Sequence, residues 1–129
     1  MNKLLLALML ALTSTSAMAA WTAVSNSDNF TTYVDLATIS KAGNRVKMWE
    51  LRNYKNVQKL AGDKYLSQIT QVEYDCKKEQ SRPLTISQFS EIRGNGRVVF
   101  SRGNPSDKWL PAKPGSVAKT LLKIACNKR

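Results

Sequence analysis

Two cysteines, Cys76 and Cys126, constrain this chain more than any other feature. Cys76 closes the strand-like run Gln68-Ile69-Thr70-Gln71-Val72-Glu73-Tyr74-Asp75-Cys76. Cys126 closes the last periodic segment. In an exported chain two cysteines are most simply one disulfide; the alternative is two buried free thiols. A bridge would tie the middle of the chain to its end. It would close a loop of about 50 residues, for which loop entropy gives about 4 kcal/mol of stabilisation.

Export is read from the N-terminus. Lys3 supplies a positive start, and Leu4 to Leu12 is an apolar run too short to span a bilayer. Ala17-Met18-Ala19 has the small-x-small form of a cleavage site, so Met1 to Ala19 reads as a secretory leader cut after Ala19. The competing reading is a short N-terminal anchor. No cysteine follows Ala19, so no lipid anchor is expected there. The expected location is the periplasm or the outer surface and medium. Residues 20–129 then form a single domain, long enough to bury one core without metal.

The charge is lopsided. Against 9 Asp+Glu stand 20 Lys+Arg, a net +11, of which only Lys3 lies in the leader. A field of that sign favours lipopolysaccharide, nucleic acid, acidic polysaccharide or acidic proteins. The plain alternative is a charge that only keeps the protein soluble.

What is missing restricts the chemistry. There is no histidine, which removes Ser-His and Cys-His nucleophile pairs, imidazole acid-base work and the commonest transition-metal ligand. Paired cysteines leave no zinc-thiolate site. Glu73 and Asp75 share one strand parity and could act as a carboxylate pair, but Lys77 and Lys78 beside them could equally pair them off. Gly94-Asn95-Gly96 is not a phosphate loop, because no helical pattern starts after it. Trp21, Trp49 and Trp109 are candidates for stacking a ligand, though aromatics of this size more often fill a core. No catalytic site, metal or cofactor is expected.

Strand patterns fall at Trp21–Ser25, Thr31–Leu36, Arg45–Tyr54, Tyr65–Cys76, Leu84–Ile92 and Arg97–Ser101. A turn of helix is expected over Ala37–Ala42, and a polar connection over Val57–Gly62. The slip in alternation between Met48 and Trp49 points to a bulge or to burial on both faces. Gly94-Asn95-Gly96 reads as a hairpin, and Gly103–Pro114 as loop. Ser116 is a helix N-cap, followed by an apolar stripe of Val117, Leu121, Leu122, Ile124 and Ala125. The fold class is α+β: an antiparallel sheet of about six strands with a C-terminal helix packed on one face.

Several of these residues fall in a familiar order. A strand Trp49 precedes Tyr65-Leu66-Ser67 and Glu73-Tyr74-Asp75-Cys76. Arg82 and the Gly94–Gly96 hairpin follow, then Trp109-Leu110-Pro111, Pro114-Gly115-Ser116 and a helix ending in Cys126; Tyr33-Val34-Asp35 also fits. The chain resembles the surface-adhesin protein E family of small exported proteins of Gram-negative bacteria, over nearly all of residues 20–129. The resemblance implies an antiparallel sheet with helices and one disulfide between Cys76 and Cys126. It implies binding of host extracellular-matrix and serum proteins. The family's founding type also binds haem and is a surface lipoprotein; this chain has no imidazole to offer haem iron and no cysteine after Ala19.

Three functional readings follow. The first is an adhesin-type binding protein engaging host matrix or serum proteins or anionic envelope polymers. The second is a periplasmic structural or envelope-stress protein held near lipopolysaccharide by its charge. The third is an enzyme using Glu73 and Asp75. A bridge between Cys76 and Cys126 would gather Lys77, Lys78, Arg82, Lys123, Lys128 and Arg129, offset in part by Asp75 and Glu79. Those six cations are the candidate anion-binding residues, provided that their side chains converge.

Overall fold

The computed structural model describes residues 20–127. Strands β1 (Thr22–Asn26), β2 (Phe30–Ala42), β3 (Arg45–Leu60), β4 (Asp63–Asp75) and β5 (Gln80–Phe89) come first. A 3-10 turn at Ile92–Gly94 leads to β6 (Val98–Gly103), β7 (Leu110–Pro111) and helix α1 (Val117–Asn127). All strands pair antiparallel in one sheet, ordered β1-β2-β3-β4-β5-β6. The remaining strand, β7, shares the edge of β5 with β6, pairing at Gln80 and Ser81.

Alternation along β3 and β4 decides which face the helix covers. Cross-strand pairs Val46↔Tyr74 and Met48↔Val72 put four apolar side chains on one face. With Val34 of β2 they pack against Leu121, Leu122 and Ala125 of α1 and against Ala112. Ser116 starts the helix as an N-cap, its Oγ accepting the Lys119 N–H at 3.2 Å. The opposite face buries Leu51 completely. There the 3-10 turn is the cover: Ser67 Oγ accepts the Gly94 N–H at 2.9 Å, and Asn53 Oδ1 accepts the Arg93 N–H at 2.8 Å. Gly94 sits at φ 70, where a side chain is strained, and a Cβ there would lie 2.6 Å from Ile69 Cδ1, which would have to move. The slip of pattern in β3 is thus burial on both faces.

Three segments depart from expectation. Leu110–Pro111, inside the expected loop Gly103–Pro114, pairs with Gln80 and Ser81 as β7. Ala37–Ala42 is strand, not a turn of helix: β2 continues to Ala42, opposite Arg45. Its register shifts between Asp35 and Ser40. There Thr38 Oγ1 donates to the Asp35 carbonyl at 2.6 Å and accepts the Trp49 N–H at 3.1 Å, replacing ladder bonds that the shift breaks. Most of Val57–Gly62 is likewise strand, because β3 runs on to Leu60 and pairs with the start of β4. The three tryptophans are half-buried and none joins the core, whose aromatic residue is Tyr74.

Leu121 is 4 % exposed and forms one wall of a cleft described below. Leu121→Ala is expected to cost about 2–3 kcal/mol. That is the low end for such changes, because a cleft already open to water leaves less new void. Lys119→Ala, which breaks a contact with exposed Glu79, should move the urea midpoint far less. Equal shifts would mean that α1 presents a different face to the sheet.

Candidate functional site: the cationic rim at the disulfide

The Cys76–Cys126 disulfide is formed, with Cα atoms 5.8 Å apart. It joins the end of β4 to the end of α1. The turn between β4 and β5 is held by Asp75, whose Oδ1 accepts the Lys77 N–H at 3.1 Å and the Lys78 N–H at 3.0 Å. That arrangement uses the carboxylate on backbone and leaves the Lys77 and Lys78 side chains exposed. Glu79 follows at φ 54 and meets Lys119 Nζ of α1 at 2.8 Å. The Lys119 ammonium holds the Glu79 carboxyl below the usual carboxylate range, with a smaller contribution from Lys123. Lys119 and Lys123 thus act on Glu79 from the helix, and the exposed Lys77 and Lys78 precede it on the turn. Lys119 was not among the expected residues; its place one helical turn before Lys123 was the available signal. Lys128 and Arg129 lie outside the described residues.

Arg82 belongs elsewhere. Register places it opposite Glu73, on the sheet face away from the helix. Its guanidinium meets Glu73 Oε1 at 2.8 Å and stacks 4.5 Å from the centroid of Trp109. Arg45 stacks on the same ring at 5.3 Å. The indole is thus flanked by two cations, an arrangement that pins the loop before β7 against the sheet. Glu73 and Asp75 are accordingly not paired off by Lys77 and Lys78 side chains. Glu73 binds Arg82, and Asp75 binds backbone.

Sequence reasoning missed a second feature, on the helix face. Beneath α1 lies a half-open cavity of about 170 Å³, walled by Val72, Pro83, Leu110, Val117, Ala118 and Leu121. Its polar lining includes Glu50, Arg52, Ser81 and Tyr74. The Tyr74 hydroxyl donates to Glu50 Oε1. Burial drives the Glu50 pKa up to about 7, while the bond from Tyr74 and the charge of Arg52 pull it back in part. Burial, and then the Glu50 charge, push the Tyr74 phenol well above its ordinary value. The available signal was parity: Glu50 continues the inward positions Val46 and Met48, where an acid is out of place.

The described residues define a class: a small basic domain with a single antiparallel sheet, one helix packed on one face of it, and one disulfide locking helix to sheet. The family model for surface-adhesin protein E matches residues 21–127, and the chain belongs to that family. Among solved structures it is similar to crystal form II of Haemophilus influenzae protein E. That match has a TM-score of 0.64 at 14% identity and covers 87% of this chain and 91% of the other. It is also similar to protein E from non-typeable Haemophilus influenzae, with a TM-score of 0.59 at 14% identity, covering 87% and 78%. At such identity the likeness is one of fold. A comparison with curated protein sequences yields no match.

Proposed function

We propose that this adhesin-family chain is an exported binding protein whose cationic rim engages acidic partners. The partners are host matrix or serum proteins with acidic or polysaccharide-bearing surfaces, or anionic polymers of the envelope. Met1 to Ala19, outside the described residues, act as the leader, and the protein works at the surface or in the periplasm without a lipid anchor. The role is binding and not catalysis.

One observation carries the reading. The disulfide brings a turn with two exposed lysines beside the helix that carries Lys119 and Lys123, and a single exposed carboxylate, Glu79, is engaged among them. Charges from segments far apart in sequence are thus tied to one disulfide, which favours their acting together at physiological salt. Arg82 stays bound to Glu73 and takes no part.

The test is binding to immobilised heparin as a model acidic polysaccharide, across a salt series. Lys77→Ala, Lys78→Ala and Lys123→Ala together are expected to weaken binding about 10- to 100-fold and to flatten its salt dependence. The comparison variant changes exposed Lys41, Lys47 and Arg102 and so loses the same charge. It should lose only a few-fold. Equal losses would mean that net charge alone is responsible.

A further inference from the structure

The β3–β4 hairpin outruns the rest of the sheet. Pairing of β2 with β3 stops at Phe30↔Tyr54, and pairing of β5 with β4 begins at Ser67↔Phe89. Beyond one last backbone bond, from the Lys55 N–H to the Asn29 carbonyl at 2.9 Å, the two strands pair only with each other, through Gln58↔Tyr65, Lys59↔Lys64 and Leu60↔Asp63. The register shifts between Asn53 and Gln58, an irregularity of the kind that bends a strand. The outcome is a two-stranded ribbon standing beyond its neighbours.

The register puts Val57 with Lys59 and Lys64 on one face of the ribbon and Leu60 with Asp63 on the other, so cations and apolar side chains meet only around its tip. Val57 is 50% exposed and Leu60 41% exposed. Lys55, Lys59 and Lys64 are exposed as well, with Asp63 the acid among them. Two details work against the ribbon's own stability. Lys59 and Lys64 stand directly opposite each other across the ladder, where like charges repel. Ala61, in the turn, holds φ at 51, a left-handed conformation that a residue with a Cβ adopts at a cost. An external anionic surface would relieve the first of these.

We propose that the ribbon is a docking element for an anionic phospholipid membrane surface. The ribbon docks tip first, so that the three lysines meet the phosphates while Val57 on one face and Leu60 on the other enter the interfacial layer. The apolar pair selects a bilayer over a polysaccharide. A polysaccharide leaves those side chains in water, whereas the headgroup–acyl boundary takes them up. This site is separate from the rim and does not depend on it. Each lysine near an anionic membrane strengthens binding about 5-fold, so three amount to roughly 100-fold.

The experiment is co-sedimentation of the full mature protein with mixed phosphatidylglycerol/phosphatidylcholine vesicles, against phosphatidylcholine vesicles alone, at physiological ionic strength. The unmodified protein is expected to bind the mixed vesicles only. Lys55→Gln, Lys59→Gln and Lys64→Gln together should weaken binding roughly 100-fold. Val57→Ser with Leu60→Ser, at unchanged charge, should weaken it about 10-fold. A rim variant with the same charge loss, Lys77→Gln, Lys78→Gln and Lys123→Gln, should stay within a few-fold of the unmodified protein. The ribbon lysine variant removes a repulsive pair, so its urea midpoint should not fall, and lost binding then reads as lost contact. Three outcomes overturn the proposal: no binding to the mixed vesicles, equal losses from the ribbon and rim variants, or an unchanged affinity in the Val57→Ser, Leu60→Ser protein. The last would make the ribbon a site for soluble polyanions instead.

Discussion

Replacing Cys76 and Cys126 together by alanine is expected to lower the unfolding free energy by about 4 kcal/mol, the largest loss foreseen for this domain. The argument is one of chain entropy. The bridge spans 50 residues, which include β5, β6, β7 and almost all of α1. Without it the unfolded chain gains the freedom of that whole loop, while the folded protein keeps the same sheet. Against a typical net stability of about 5–15 kcal/mol, the loss leaves a marginal domain. The measurement is urea denaturation of the alanine variant beside the oxidised protein. With a denaturant slope of about 1–2 kcal/mol per molar, the midpoint should fall by roughly 2–4 M. Amide exchange adds a check on mechanism. If protection falls only in α1 and the sheet keeps its full value, the bridge merely fastens the helix, and the loop-entropy account fails.

The fold was legible in sequence where side-chain pattern and pairing agree. Val46, Met48, Val72 and Tyr74 alternate as strand residues should, and Leu121, Leu122 and Ala125 repeat as a helix face should; these meet in one core. The reading failed where pairing overrides local preference. Ala37-Thr38-Ile39-Ser40-Lys41-Ala42 has no strong propensity of its own, and its strand state comes from Arg45, Val46 and Lys47 across the ladder. Residues 57–60 carry no alternation because neither face of the ribbon meets a core. With two residues, β7 is shorter than any period.

The candidate site was legible only as a set of neighbouring residues, for a related reason. Counting cations near the two cysteines finds Lys77, Lys78 and Lys123. The same count includes Arg82, because proximity in sequence says nothing about which sheet face a residue takes. Facing Glu73 across the β4–β5 ladder fixes Arg82 on the far side, beside Trp109. Likewise Glu50 and Tyr74 are 24 residues apart, and only the β3–β4 register brings their side chains onto one face. Register is a property of the paired strands, and neither strand encodes it alone.

That pair in the cleft leads to the second large effect, a stability that falls as pH rises. In the unfolded chain Glu50 titrates as an ordinary glutamate, near the reference value of 4.5; in the folded protein its pKa is about 7. Between those values the folded state holds a proton that the unfolded state has given up. Folding is therefore favoured by acid: the contribution is fully present below the unfolded pKa and is lost as pH rises through the folded one. The full difference amounts to about 3 kcal/mol, and about 2–3 kcal/mol of it falls between pH 5 and pH 8. Glu79 has the opposite sign, since its carboxyl is held below the usual range, so its contribution disappears only in more acid solution. No histidine titrates in that window, because the chain contains none. Urea midpoints measured across it should fall steadily toward alkaline pH. Glu50→Gln should flatten the dependence, since the amide oxygen still accepts the Tyr74 hydroxyl but carries no charge to desolvate. The variant should also be the more stable of the two proteins at pH 8. A pH dependence that persists in Glu50→Gln would place the titrating group elsewhere, and Glu50 would then be an ordinary solvated carboxylate at the mouth of the cleft.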